Sequence, residues 1–266
     1  MILTWVQGLS VWQLAALCSG FFVAATWLGI IFVRPFLRLL LRRQTGVNDL
    51  VSYSSAGFSL LYGLLLGLLS VATYQNVEKI SAFVGQEAAS LGLLYRSTDS
   101  FPEPLRTDLQ ALQRDYALYV IRKDWPAHEQ GEIYQGGAAR IAVIREKLMS
   151  FEPASANQQI LLDQTLTILN DMSRSRVERL TGVDLRLPGV FWYVLLIGAA
   201  INVVLIWMLD MRFFAHLLLG GLVSFFLGVM IFLIAALDYP MRGAVAIDAS
   251  AYQLIYDRVM AADETI

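Results

Sequence analysis

Residues 51–74 read Val-Ser-Tyr-Ser-Ser-Ala-Gly-Phe-Ser-Leu-Leu-Tyr-Gly-Leu-Leu-Leu-Gly-Leu-Leu-Ser-Val-Ala-Thr-Tyr, with no Asp, Glu, Lys or Arg among them. As an α-helix rising about 1.5 Å per residue, the stretch is about 36 Å long, enough to cross a hydrocarbon core of about 30 Å with modest tilt. Three more stretches, 11–33, 188–209 and 213–237, are equally free of charge. The chain has 266 residues, 57% hydrophobic and 16% charged, against about 25% charged for an average soluble domain. All 20 basic and 22 acidic side chains fall outside the four stretches, where their density returns to about the soluble average. The reading is therefore an all-α polytopic membrane protein with a helical bundle inserted between the second and third spans.

The segments follow from that pattern: 1–74 with the first two spans, 75–187 as a soluble helical domain, 188–237 with spans three and four, and 238–266 as a C-terminal tail. The first ten residues lack Lys and Arg, and the apolar stretch behind them is too long for the hydrophobic region of a signal peptide, so it is expected to remain a span. Within 75–187, apolar residues recur at spacings of three, four or seven: Val77, Ile80, Val84, Leu91 and Leu94, then Leu105, Leu109, Leu112, Tyr116 and Tyr119. Punctuation at Pro102 and Pro104, Trp125-Pro126, Gly136-Gly137 and Pro153 predicts helices near 76–96, 103–123, 128–150 and 155–180. No break signal separates Thr73 from Val77, so span two can continue into the soluble domain as one helix.

Arg34, Arg38, Arg42 and Arg43 lie between spans one and two, and Arg212 lies between spans three and four, against Arg242 and Arg258 on the opposite side. By the rule that basic loops stay inside, this tally places the N-terminus, the helical domain and the tail outside. Arg34, Arg38 and Arg42 stand four apart, a cationic stripe suited to anionic lipid or, repeated around an oligomer, to a vestibule that concentrates anions. A net charge of -2 without a basic stripe of the groove-reading kind gives no reason to expect nucleic acid. The single cysteine, Cys18, excludes an intramolecular disulfide.

Span two carries Ser52, Ser55, Ser59, Tyr62, Leu66, Ser70 and Thr73 at steps of three or four, a largely polar stripe on one helix face. Hydroxyls there can line a pore, replacing part of an ion's hydration, or can serve packing between helices. Small residues four apart, Ala16, Gly20 and Ala24 in span one, Gly63 and Gly67 in span two, and Gly220, Ser224 and Gly228 in span four, predict close helix packing. Whether the partner is the same chain or a neighbouring copy stays open. Asn202 reads as an interhelical hydrogen-bonding residue or an ion ligand, and His216 as a hydrogen-bonded packing residue or a proton-sensitive gate. Past span four, Asp238, Tyr239, Pro240 and Arg242 predict a turn at the membrane exit, which an Asp238–Arg242 pair can lock or which can serve as a gate or mouth.

Catalysis finds little footing, with two histidines and no H-E-x-x-H, C-x-x-C, G-x-S-x-G or glycine-rich phosphate loop. His128 flanked by Asp124 and Glu132 would be a weak metal set, because Pro126 interrupts the helix that spacing needs. No enzyme activity, cofactor or metal is expected.

Three groups of residues resemble the bacterial bestrophin-like family of four-span membrane proteins: Asn48-Asp49 leading into Leu61-Tyr62-Gly63-Leu64-Leu65-Leu66-Gly67; Glu87, Leu94-Tyr95-Arg96, Pro102, Pro104, Tyr116 and Asp124-Trp125-Pro126; and Leu237-Asp238-Tyr239-Pro240 with Arg242-Gly243 and Ile247. The resemblance covers most of the chain and implies a homo-oligomeric ion channel, usually a pentamer, with span two lining the pore. It implies inorganic ions and membrane lipid as partners, and a place in the bacterial inner membrane. Bestrophins keep their termini and helical domain in the cytoplasm, opposite to the charge tally here, and their acidic calcium clasp has no counterpart in Asp257, Asp263 and Glu264. The alternative function is a membrane-anchored sensor or scaffold whose helical domain binds a ligand or protein.

Overall fold

The computed structural model describes residues 10–41, 46–243 and 245–261, with backbone only at 38, 40 and 41. The helices are α1 (Val11–Phe32), α2 (Arg34–Leu41), α3 (Val47–Ser97), α4 (Leu105–Tyr119), α5 (Trp125–Gln130), α6 (Gly136–Met149), α7 (Ala156–Asp184), α8 (Gly189–Met208), α9 (Phe213–Leu237) and α10 (Ser250–Ile255). Among the described residues there is no strand. Helices α1, α3, α8 and α9 are long and apolar enough to cross a membrane. Two compact units divide the chain: Met1–Gln75 with Arg186–Asp238, and Asn76–Leu185 with Tyr239–Ile266. Helix α3 runs 51 residues, with no proline to break it, and the division falls inside it.

In the first unit, glycines set how close the helices come. A Cβ on Gly228 would lie 2.5 Å from Ser19 Cα, one on Gly198 would lie 2.2 Å from the Tyr62 ring, and one on Gly29 would lie inside the Trp207 indole. Polar side chains then reach across the seams these glycines leave. Thr26 Oγ1 and Ser224 Oγ share a 2.5 Å hydrogen bond between α1 and α9, and Trp207 Nε1 donates to the Thr26 carbonyl at 3.1 Å. Tyr62 Oη donates to the Leu195 carbonyl at 2.6 Å, and His216 Nε2 meets the Ile206 carbonyl at 2.8 Å. Around them pack Phe22, Leu66, Leu195, Val203, Leu227 and Ile234.

The second unit departs from the predicted helix boundaries in two places. The segment expected at 103–123 starts at Leu105 and does not stop before Trp125-Pro126, because a π-turn over Val120–Asp124 leads directly into α5. Pro126 then sits in the first turn of α5, next to the π-turn where the regular i→i−4 bond pattern is already interrupted. The break inside the segment expected at 128–150 falls at Gly131, whose φ of 83° makes it a left-handed helix end, with Glu132 N bonding back to the Ala127 carbonyl. Gly136 and Gly137 open α6 for a different reason: Tyr119 Oη and the Arg176 guanidinium occupy the places a Cβ would take, at 2.2 and 2.6 Å. Helix α7 is capped by Ser155, which accepts from Gln158 N. The core joins Ile80, Leu91, Leu94, Leu109, Ile144 and Leu169.

The small-residue stripes divide into two kinds. Gly220 packs against Ile206, Ile30 and Thr26, while Ser224 and Gly228 meet α1. Gly20, Gly63 and Gly67 have nothing within 4 Å of a Cβ position, and Ala16 and Ala24 are exposed. Valine at 228 is therefore expected to destabilise the purified protein by about 1–3 kcal/mol through overpacking, whereas Gly20→Val leaves stability nearly unchanged. Thermal unfolding in detergent measures both, and equal melting temperatures for the two variants would contradict this packing.

Candidate functional site: the span-two face and a buried charge network

The polar stripe of span two does not act as one face. Tyr62, only 5% exposed, is turned toward α8 by its bond to Leu195 and by the gap at Gly198. Leu66 and Thr73 are also buried, Thr73 Oγ1 bonding back to the Leu69 carbonyl. Ser55 and Ser70 are half-buried, and Ser70 donates to the Leu66 carbonyl. Ser52 and Ser59 are exposed, and Ser59 Oγ accepts from Asn202 Nδ2 at 3.2 Å. The side of α3 turned away from α8 carries Leu60, Leu64 and Val71, 75%, 62% and 54% exposed, with Gly63 and Gly67 between them.

Arg34 does not project from a stripe. It is buried, with Nη2 donating to the Met211 carbonyl and, at 3.3 Å, to Asp210 Oδ1, while Asp210 N donates to Asn48 Oδ1 at 2.8 Å. The arginine thus staples the short loop between α8 and α9. The side chain of Arg38 and all of Arg42 lie outside the described residues. At the other end of the spans, Asp238 accepts from Leu187 N at 2.6 Å and Trp192 Nε1 at 3.0 Å. Arg242, beyond Tyr239 and Pro240, donates to the Val183 carbonyl at 3.0 Å and lies 3.8 Å from Asp184. The expected Asp238–Arg242 lock gives way to these partners, since each group finds backbone atoms that would otherwise be left unbonded.

The second unit buries a cluster of charges that sequence reasoning did not assemble. Arg179, fully buried on α7, donates from Nε to Glu87 Oε2 on α3 at 2.7 Å. Tyr116 Oη on α4 donates to Glu87 Oε1 at 2.5 Å, its phenol held protonated by burial and by the Glu87 charge. Arg176, one turn before Arg179, gives Nη1 to Asp124 Oδ2 at 2.7 Å, and Arg179 Nη2 lies 3.8 Å from the same oxygen. Arg179 also stands over Trp125 and Tyr252, with its Cζ 5.5 and 5.8 Å from the ring centroids. Trp125 is tied in turn by Nε1 to the Ile247 carbonyl at 3.1 Å.

His128 Nδ1 lies 3.1 Å from Arg179 Nη1. A guanidinium only donates, so this nitrogen accepts and the proton of the neutral ring sits on Nε2. That lone pair is engaged, which removes it as a metal ligand, and among the described residues no group of His, Cys, Asp and Glu is placed to hold a metal. Two acids and two arginines thus balance around a neutral imidazole. The signal in the sequence was register: Glu87 falls in step with Val84 and Leu91, and Arg176 and Arg179 in step with Leu169, Met172 and Val183, so the charges occupy apolar faces.

Residues 20–252 match the family model of the Bestrophin-like domain. The chain belongs to the bestrophin-like family. Its fold is similar to those of solved membrane proteins. One is a single-substitution variant of a bestrophin homologue from Klebsiella pneumoniae, at 12% identity and TM-score 0.70, covering 92% of this chain and 97% of that one. A second variant of that homologue gives 12% identity and TM-score 0.68, over 93% and 98%. A crystallised membrane protein gives 11% and 0.69, over 93% and 97%. No curated protein matches the chain. The residues behind the family resemblance, Glu87, Tyr116, Asp124, Trp125 and Asp238, are anchors of the bestrophin-like fold in this chain rather than exposed chemistry.

Two outcomes follow for the charge network. Arg179→Met leaves Glu87 buried with Tyr116 but without a neutralising charge and is expected to destabilise by about 3–5 kcal/mol, with much of that recovered in a Glu87→Leu/Arg179→Met double variant; denaturant titration of all three proteins measures it. Burial, then the Arg179 and Arg176 charges, lower the His128 pKa from 6.5 to about 3. Between those values the unfolded chain binds a proton that the folded chain refuses, so this contribution is intact above pH 6.5 and declines as pH falls toward 3. His128→Asn should therefore lose less stability than wild type between pH 7 and pH 5.

Proposed function

We propose that this protein is a homo-oligomeric bestrophin-type ion channel of a bacterial inner membrane, with α3 of each copy lining a central pore. Family membership supports the channel reading. The observation that carries the pore assignment is that α3 buries one side against its own chain and leaves Ser52, Ser59, Gly63, Leu64 and Gly67 uncovered. In a ring of copies, that uncovered side is the one available to the axis. The pore-facing set we assign is therefore Ser52 and Ser59 with Leu60, Leu64 and Val71, flanked by Ser55 and Ser70, while Tyr62, Leu66 and Thr73 hold α3 to its own subunit. Gly63 and Gly67 keep the passage from being filled by side chains. Leucines at this level would form an apolar constriction that blocks ions when it dries and conducts when it is wetted. Arg38 and Arg42 are left for anionic lipid at the membrane surface, with exposed Phe36 and Leu39 of α2 lying in the interface.

The test is purified protein in a planar bilayer under a KCl gradient. Wild type should pass current, Leu64→Ser should raise it by easing the dry constriction, and Gly63→Trp should reduce it at least several-fold. In a Cys18→Ser background, cysteines at Ser52, Ser59 or Leu64 should react with water-soluble thiol reagents in the oligomer, and one at Leu66 should not. Silence of wild type across voltage, pH and calcium would move the reading to a membrane-anchored sensor or scaffold.

A further inference from the structure

Between α6 and α7 of the second unit lies a cleft of about 620 Å³, within the range of about 300–1,000 Å³ typical of small-molecule sites. It is bounded at one end by Tyr134 and at the other by Met149, with Ile141, Ala142 and Val177 between. Met149 and Val177 are 66% and 63% exposed, in a part of the chain without a membrane-crossing stretch to account for apolar surface. The charged residues lining it are Arg145, Glu146 and Arg176. Glu146 is exposed and solvated, and Arg145 gives Nη1 to Asn170 Oδ1 at 2.8 Å. Arg176 is of another kind. Its side chain is only 4% exposed, and its guanidinium lies on Gly137, where a Cβ would come within 2.6 Å, so the first turn of α6 is shaped to receive it. Its single hydrogen bond among the described residues is the one from Nη1 to Asp124. A guanidinium has five N–H donors in a planar fork, and this one lines an apolar cleft with most of them unused.

We infer that the cleft binds an amphipathic monocarboxylate, its head on Arg176 and its chain along Ile141, Ala142 and Val177 toward Met149. A planar carboxylate accepts two parallel N–H bonds from one guanidinium. Asp124 already offsets the Arg176 charge, so a head group is held by the remaining N–H donors rather than by net charge, and a doubly charged phosphate is disfavoured more than a carboxylate. The apolar walls favour an alkyl chain over a small hydrophilic acid. The cleft does not depend on the pore assignment, so binding here stands or falls apart from conduction.

The experiment uses the full-length protein in lipid nanodiscs and a dodecanoic acid carrying a diazirine near its methyl end. After irradiation, peptide mapping should place the label in 133–149 and 173–180, saturably, with competition by dodecanoate and at least tenfold weaker competition by dodecanol. Ala142→Trp, at an exposed position, fills the cleft and should abolish labelling without unfolding the protein; Arg176→Lys keeps the charge, loses the fork and should weaken labelling about tenfold or more. Competition by octanoate from the aqueous phase would identify a soluble acid as the source, and competition only by membrane-partitioned oleate would identify a lipid-derived one. Equal competition by acid and alcohol, or labelling unaffected by Ala142→Trp, would overturn the proposal. So would an unlabelled cleft in which Ala142→Cys, in the Cys18→Ser background, forms disulfide-linked copies, because a second copy would then be the occupant.

Discussion

A hydrocarbon layer offers no hydrogen bonds, so every backbone N–H and C=O inside it must be satisfied by the protein. The first unit answers that constraint with four long helices, and then answers it again at the places where side chains enter the seams. Tyr62, Trp207, Trp27 and His216 each direct a polar atom at a backbone carbonyl of a neighbouring helix or loop. A carbonyl has a second lone pair beyond its helical bond, so it can accept without loosening the helix. The glycines make this possible by letting an aromatic ring lie against bare backbone, as Tyr62 does at Gly198 and Trp207 at Gly29. Because lipid is as apolar as leucine, such close packing and these few bonds, rather than exclusion of water, hold the helices to one another.

The second unit solves a different problem. Its interior holds two carboxylates and two guanidiniums that water would solvate better, and their desolvation is offset only because each charge has a partner within hydrogen-bonding distance. Tyr116 and His128 complete the arrangement as neutral groups, the phenol kept protonated and the imidazole kept unprotonated by the same burial. The pairing fixes a register: Glu87 on α3, Asp124 beside α5 and Arg179 on α7 meet at one level, and a helix slipped by one turn would strand a charge.

The two units therefore use their exposed surfaces in opposite ways. Apolar exposure on α1, α3, α8 and α9 matches a lipid or oligomeric surrounding, and it distinguishes no single face by itself. The side of α3 that carries Gly63 and Gly67 with the exposed Ser52 and Ser59 is the distinctive part of it. On the second unit, the exposed Met149 and Val177 flank the cleft beside Arg176.

Much of the architecture was legible in the sequence, because hydrophobicity and charge density are linear properties: 23 or so uncharged residues can only be a span, and an apolar repeat of three and four can only be a helix face. The four spans, the all-α class and the continuation of span two into the soluble helix follow from that. What a helix face packs against is not a linear property. The stripe from Ser52 to Thr73 was visible, yet only the bond from Tyr62 to Leu195 decides that part of it faces its own subunit. Arg34 looked like an anchor in lipid until Asp210 and the Met211 carbonyl, far along the chain, were brought to it. Glu87 and Arg179 are 92 residues apart, and nothing local says that one will neutralise the other. The sequence alone determined which segments leave water and which keep it; only the tertiary structure decided which charges and hydroxyls meet, because pairing energy depends on distances that close when the chain folds.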